Sequence, residues 1–198
     1  MRKITVISMI SLDGVLQAPG GPDEDTSGGF EFGAWSAPFG DAEFAENFGP
    51  LMEARDLLLG RKTFDIFAGY WPQHADNWPG INEVTKNVVS RTKTSSDWAN
   101  STFLSGVDDI RALKESDGGD LIVWGSGDLI QTLFEHDLVD ELQLVTYPVT
   151  LGSGKKLFDR GTIPATFTMS NGAITPQGVV FARYVRAGDV ETGTVGEE

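Results

Sequence analysis

Three short stretches of this chain combine glycine with hydroxyl and cationic side chains in a way that suits an anion: Gly60-Arg61-Lys62-Thr63, Ser90-Arg91-Thr92 and Gly125-Ser126-Gly127-Asp128. Each follows a short apolar run, and the first and third lead into a helical pattern. A helix begins with N–H groups that have no intrahelical partner and with a partial positive charge, which together suit a pyrophosphate. Arginine can fork onto phosphate oxygens, and glycine lets a ligand approach the main chain. Arg61 and Lys62 at a helix start are unfavourable to the dipole unless an anion lies nearby. Solvated surface cations, and glycines present only because a turn is tight, are the competing reading, so no single stretch decides the matter.

Two phosphate motifs can be tried and fail. Gly-x-Gly-x-x-Gly beginning at Gly125 breaks at Ile130, and the P-loop pattern over 149–156 breaks at Val149 and Lys156. Among the acids, Asp13 follows the first strand, just beyond the carboxyl end where open α/β sheets place ligands, although an Asp-Gly turn accounts for it as well. Asp41 and Glu43 fall in the first turn of a helical pattern, where the dipole alone favours carboxylates. A buried carboxylate with a raised pKa could supply a proton to a reacting heteroatom, which makes Asp13 or Glu43 the expected proton donor. Trp35 and Tyr147 are candidate pocket walls. The chain has no cysteine and only His74 and His136, far apart, so a metal centre is not expected.

The elements that must position these residues follow from periodicity. Residues 3–10 are β-branched and apolar at almost every position, as in a central strand covered on both faces. Residues 17–40 form a long glycine-rich loop carrying Phe30, Phe32, Trp35 and Phe39, suited to a flap over a pocket. Asp41 can cap a helix with Phe44, Phe48, Leu51 and Met52 on its apolar side, interrupted at Gly49-Pro50. Strands are expected over 56–60, 85–89, 103–104, 121–124 and 140–147, and helices from Arg61, over 107–116 and through Leu129, Ile130, Leu133 and Phe134. Residues 167–170 and 179–185 form a terminal antiparallel hairpin around Asn171-Gly172 and 176–178. The alternation of strands and helices implies an α/β fold, a mostly parallel sheet covered on both faces. It also brings the three anion-suited stretches to one rim.

The composition agrees with one folded domain. The chain has 198 residues, 40% of them hydrophobic, with five tryptophans and a net charge of -14. That charge argues against non-specific nucleic-acid binding. No apolar run approaches the ~20 residues of a membrane span, so a cytoplasmic protein without a membrane partner is expected. Nine acids and no lysine or arginine occupy 4–54, whereas Arg55, Arg61, Lys62, Lys86, Arg91 and Lys93 follow within forty residues. An acidic chain that gathers cations in one segment suits an anionic small molecule there, with chance clustering as the alternative.

At this point the motifs carry a resemblance. Leu59-Gly60-Arg61-Lys62-Thr63-Phe64, Val88-Val89-Ser90-Arg91-Thr92, Ile122-Val123-Trp124-Gly125-Ser126-Gly127 and Asp140-Glu141-Leu142, in this order, resemble the dihydrofolate reductase superfamily. Ser11-Leu12-Asp13-Gly14 and the stretch 148–154 are similar, more narrowly, to the branch containing the C-terminal reductase domain of the riboflavin-biosynthesis deaminase-reductase. The likeness spans roughly residues 3–186. It implies a dihydrofolate-reductase-like three-layer sandwich over 1–186, ending in the antiparallel hairpin, followed by an acidic flexible tail over 187–198.

The resemblance further implies NADPH as hydride donor, a C=N or C=O bond of a small heterocycle as acceptor, and a homodimer. Gly60, Arg61, Lys62 and Thr63 would hold the pyrophosphate and adenosine phosphates. Ser90 and Arg91, with Thr92 beside them, would recognise the 2′-phosphate. Gly125, Ser126, Gly127, Asp128 and Leu129 would wrap the pyrophosphate from the other side, and Met9 and Leu16 would offer backbone groups to the nicotinamide. On the substrate side the register points to Glu43 or its neighbour Asp41, and Thr146 matches a threonine that supports the pterin in folate enzymes. Riboflavin reductases carry Thr-x-x-x-Asp-x-Pro after their second strand, and Thr63-Phe64-Asp65-Ile66-Phe67-Ala68 departs from it. A nucleotide-binding or sensor module that keeps the cofactor rim without catalysis is the alternative.

Overall fold

Strand β1 (Ile4–Ser11) is buried along almost its whole length and takes a central place in an eight-stranded sheet. The computed structural model describes residues 1–160 and 162–196. The other strands are β2 (Leu57–Gly60), β3 (Lys86–Val89), β4 (Ser101–Leu104), β5 (Leu121–Trp124), β6 (Glu141–Tyr147), β7 (Thr166–Ile174) and β8 (Val180–Gly188), in the spatial order β4-β3-β2-β5-β1-β6-β8-β7. Pairing is parallel from β4 through β6, and antiparallel where β8 meets β6 and β7 meets β8.

Alternation along the strands divides two apolar layers. Ile7, Leu57, Leu59, Ile122, Trp124, Val145 and Tyr147 face one cluster, which also receives Phe44 and Phe48 from helix α1 (Ala42–Phe48) and Phe64 from helix α2 (Arg61–Tyr70). Ile4, Val6, Leu58, Leu121, Val123 and Leu142 face the other, with Ile110 from helix α3 (Val107–Glu115) and Leu129, Ile130 and Leu133 from helix α4 (Gly127–Glu135). The expected three-layer α/β sandwich is therefore the fold.

Local expectations differ from the structure at a few places. Asn171-Gly172 is not a turn: β7 runs through it with a register shift between Met169 and Asn171, and the reversal falls at 175–179, where Gly178 has φ +80°. A bulge lets the extra residue sit within the ladder, so the Asn-Gly pair is absorbed by the strand. The expected strand at 103–104 begins two residues earlier. β8 carries ordered pairing to Gly188, past the boundary expected at residue 187, because Arg186 on it is tied to Asp137 by two guanidinium contacts. Of the tail expected beyond it, Glu197 and Glu198 lie outside the described residues, as does Gly161. Among the described residues, no helix is long and apolar enough to cross a membrane.

Candidate active site

The carboxyl ends of β3, β2 and β5 are neighbours in the sheet, and these are the strands that deliver the three anion-suited stretches. Strand spacing places the outer two corners about 10 Å apart. Two hydrogen bonds lock the inner pair together: Ser126 N–H donates to Thr63 Oγ1 at 2.9 Å, and Gly60 N–H donates to Ser126 Oγ at 3.0 Å. Gly125 and Ser126 both take left-handed angles, φ 53° and 57°. A Cβ added at Gly125 would stand 3.3 Å from the Thr63 side chain, so glycine there keeps the corner open against Thr63.

Helices α2 and α4 start from these adjoining corners, and neither Gly60 nor Ser126 caps its helix with a side-chain hydrogen bond. Their first-turn N–H groups are left for another acceptor. At the third corner, Ser90 Oγ accepts from Thr92 N–H at 3.2 Å and Lys93 N–H at 2.7 Å, which holds the turn and leaves Arg91 and Thr92 exposed. Arg61 and Lys93 are both bound to Asp65, each at 2.8 Å, whereas Lys62 and Arg91 make no ion pair among the described residues. Open backbone donors beside these cations fit the diphosphate and the additional phosphate of NADPH. Two residues of the expected set contribute differently. Leu129 is buried in the α3–α4 layer, so only its backbone is available, and the exposed Asp128 carboxylate pairs with Arg160 at 3.4 Å.

A cavity of about 620 Å³ opens from this rim toward the ends of β1 and β6. Thr63, Gly125, Met9 and Leu16 line it on the cofactor side. Its other walls are aromatic, with Phe44 and Phe48 from α1, Phe67 and Trp71 from α2 and beyond, and Trp78, Trp124 and Tyr147 beneath. Phe44 and Phe48 stack on each other at 5.1 Å, one helical turn apart.

The structure redistributes the expected substrate residues. Tyr147 is a wall, fully buried, with Trp35 packed edge-on against it at 5.2 Å. Trp35 donates its Nε1 proton to the Gln17 carbonyl at 2.8 Å and so backs the wall without lining the cavity. Thr146 does not reach the cavity either: one residue before Tyr147, it points to the opposite face of β6. Asp41 caps α1, its Oδ1 accepting from Phe44 N–H at 2.7 Å. Glu43 is exposed, because the turn that brings Phe44 and Phe48 inward sends residue 43 out.

Asp13 is a clamp for the facing loop. It accepts from Ser11 Oγ at 2.6 Å, Leu151 N–H at 3.1 Å and Gly152 N–H at 2.9 Å. The Ser11 hydroxyl, then the two backbone donors, hold its carboxyl down to about 2, which is the wrong direction for a proton donor at neutral pH. The 12–27 segment is further secured by Lys155, whose N–H donates to Gln17 Oε1 at 3.0 Å and whose Nζ binds Ser27 Oγ at 2.8 Å.

Sequence reasoning missed Glu24. Among the described residues it is the only carboxylate lining the cavity, at a glycine rim where Oε2 accepts from Gly20 N–H at 2.8 Å and Gly21 N–H at 3.2 Å. Trp78 and Trp124 were also missed as walls. Their Nε1 protons and the Tyr147 hydroxyl are buried with no hydrogen-bond partner among the described residues. Orphaned buried donors cost about 1–3 kcal/mol each and call for an explanation. Burial pushes the Tyr147 hydroxyl well above its ordinary pKa, and the neighbouring Ser36 hydroxyl opposes that rise in part.

Known proteins share this fold. A "Putative riboflavin biosynthesis protein" from Shewanella sp. PV-4 superposes with a TM-score of 0.64 at 20% identity, covering 93% of this chain and 99% of its own. A dihydrofolate reductase from Enterococcus faecalis, complexed with NADP(H) and RAB-propyl, gives a TM-score of 0.59 at 15% identity, with 93% and 96% covered. The "Uncharacterized protein YyaP" of Bacillus subtilis (strain 168) is 29% identical over 165 residues, 79% of this chain and 80% of that protein. The family model described as the RibD C-terminal domain matches residues 2–181, taking in every strand of the parallel sheet and all three corners. By that match the chain belongs to the RibD C-terminal domain family.

Proposed function

We propose that this protein is an NADPH-dependent reductase of a small heterocyclic substrate. The observation that carries the reading is the continuity of the three corners at the ends of β3, β2 and β5 with the cavity, through Thr63 and Gly125. The first-turn N–H groups of α2 and α4 bind the diphosphate, and Arg91 with Ser90 holds the 2′-phosphate. NADPH, when bound, supplies a hydride to the carbon of a C=N or C=O bond. Met9 and Leu16 keep water from the nicotinamide side, and the aromatic walls orient the acceptor ring. Glu24, at the solvent edge of the cavity, relays the proton that the heteroatom takes up.

Membership of the RibD C-terminal domain family supports a reductase, and the NADP(H) complex of the Enterococcus enzyme supports this choice of cofactor on the same fold. One observation favours a second reading, a cofactor-binding module without catalysis: α1 presents Phe44 and Phe48 to the cavity and no carboxylate. Incubation with NADPH and a panel of pterins, ribosylaminopyrimidines and simple carbonyls, followed by absorbance of the reduced nicotinamide, separates the two. Oxidation of NADPH with any of these acceptors is the expected result. Saturable NADPH binding with no turnover on any of them favours the module.

A further inference from the structure

Arg61, Lys62, Arg91 and Lys93 all belong to the β2 and β3 corners, and one carboxylate holds two of them. Asp65 sits on α2 one turn below Arg61, with its two oxygens divided: Oδ2 accepts from Arg61 Nη1 and Oδ1 from Lys93 Nζ, each at 2.8 Å. Lys93 is engaged twice more. Its Nζ lies 5.3 Å from the centre of the buried Phe64 ring, and its backbone N–H donates to Ser90 Oγ at 2.7 Å. Two ordinary explanations for this acid are weak. Asp65 is the fifth residue of α2, past the first turn in which the helix dipole favours a carboxylate. The three side chains are between 32% and 42% exposed, and ion pairs that open to water add little to stability.

We propose that Asp65 is a positioning residue that withholds Arg61 and Lys93 from the coenzyme phosphates. The phosphates are then read by Lys62, Arg91 and the open backbone donors, and affinity is held below what four free cations would give. The inference rests on the reductase reading for the identity of the ligand. A guanidinium engaged on a carboxylate is not free to fork onto a phosphate, and Arg61, the first residue of α2, is otherwise the cation nearest the first-turn N–H groups. The Arg61–Asp65–Lys93 cluster carries a single positive charge, so Asp65 also reduces the field that an incoming anion meets. Lys93 follows Ser90 and Arg91 at the β3 corner, which the 2′-phosphate occupies in this reading. The restraint therefore bears on NADPH more than on NADH. Such restraint suits a coenzyme that must leave after each turnover, because uniformly tighter binding lowers KM without raising kcat and slows release.

The test is Asp65→Asn, which keeps the size of the side chain and removes its charge, titrated in the full chain with NADPH and with NADH at low and at physiological salt. At low salt NADPH is expected to bind about three- to tenfold more tightly than to the natural chain, NADH to gain less, and the gain to shrink as salt is raised. Adding Arg61→Gln and Lys93→Gln to Asp65→Asn should cancel the gain, because the released cations are then gone. Should Asp65→Asn fail to fold by circular dichroism, Asp65→Ser removes the same charge. Weaker or unchanged NADPH binding in the folded variant overturns the proposal, as does a gain that survives the loss of both cations or one no larger for NADPH than for NADH. Saturable NADPH binding by the natural chain with no gain in the variant removes the role of Asp65 alone. Absence of saturable NADPH binding by the natural chain removes the reductase reading, and the role of Asp65 falls with it.

Discussion

Ser126 N–H donates to Thr63 Oγ1 at 2.9 Å across 63 residues of chain, so the corner that opens α4 is fixed to the corner that opens α2. With the reverse bond from Gly60 N–H to Ser126 Oγ, this makes the two helix starts one rigid unit at the ends of β2 and β5. The proposed diphosphate site depends on that unit.

Thr63→Val keeps the shape of the side chain and removes the acceptor. The part-buried Ser126 N–H is then unpaired, at a cost of about 1–3 kcal/mol. Thermal unfolding should move down by several degrees and NADPH affinity should fall about tenfold or more; an unchanged dissociation constant would detach the corner lock from cofactor binding.

Arg91→Ala should discriminate between the two nicotinamide cofactors. Arg91 is exposed beside the Ser90 turn and has no carboxylate partner among the described residues. Loss of a charge-assisted bond to the 2′-phosphate should weaken NADPH by roughly tenfold to a hundredfold and leave NADH nearly as it was. Equal losses for both in parallel titrations would show that another residue reads the phosphate.

Asp13→Asn tests the clamp. The Asp13 carboxyl is lowered from 3.8 to about 2, so its folded-state value lies below its unfolded one. Its contribution to stability is therefore complete above about pH 4 and is lost as the pH falls toward 2. The variant should be less stable at neutral pH and show a shallower acid limb in denaturation, with kcat little changed. A collapse of kcat with KM and stability intact would return Asp13 to the chemistry.

Much of this could be read from residue patterns. The apolar runs of β1, β2 and β5 and the glycine corners announce a sheet covered on both faces and its rim, because strand propensity and turn chemistry are local properties. The substrate side could not be read so well. On α1 the choice between Glu43 and Phe44 is one step of about 100° around a seven-residue helix, and only packing against Tyr147 and Phe181 decides it. The choice between Thr146 and Tyr147 is likewise one strand position. Glu24 and Trp78 lie in irregular segments without periodicity, so nothing local announces that they meet across the cavity. Asp13 sat in the right place along the chain, yet its partners at Leu151 and Gly152 are 138 and 139 residues away.

Lys86 gives the fold an alkaline signature. It is fully buried, its Nζ donating to the carbonyls of Asn82 at 2.9 Å and Val84 at 3.0 Å and lying 4.5 Å from the centre of the Trp98 ring. Burial pushes the ammonium down from 10.5 to about 8. Between these values the unfolded chain binds more protons than the folded one, so stability should rise with pH from 8 toward 10.5. The gain attributable to this group is on the order of a few kcal/mol. Urea unfolding across that range should show the rise in the natural chain and lose it in Lys86→Met; identical slopes would assign it elsewhere.

The central claim is that three neighbouring strand ends hold one phosphorylated coenzyme. Its most direct test is equilibrium titration of the full chain with NADPH, followed by energy transfer from tryptophan to the reduced nicotinamide, with 2′,5′-ADP as competitor. Saturable binding that 2′,5′-ADP displaces in the natural chain, and displaces far less well in Arg91→Ala, is the predicted result. The absence of saturation at millimolar NADPH, or binding indifferent to 2′,5′-ADP, would contradict it.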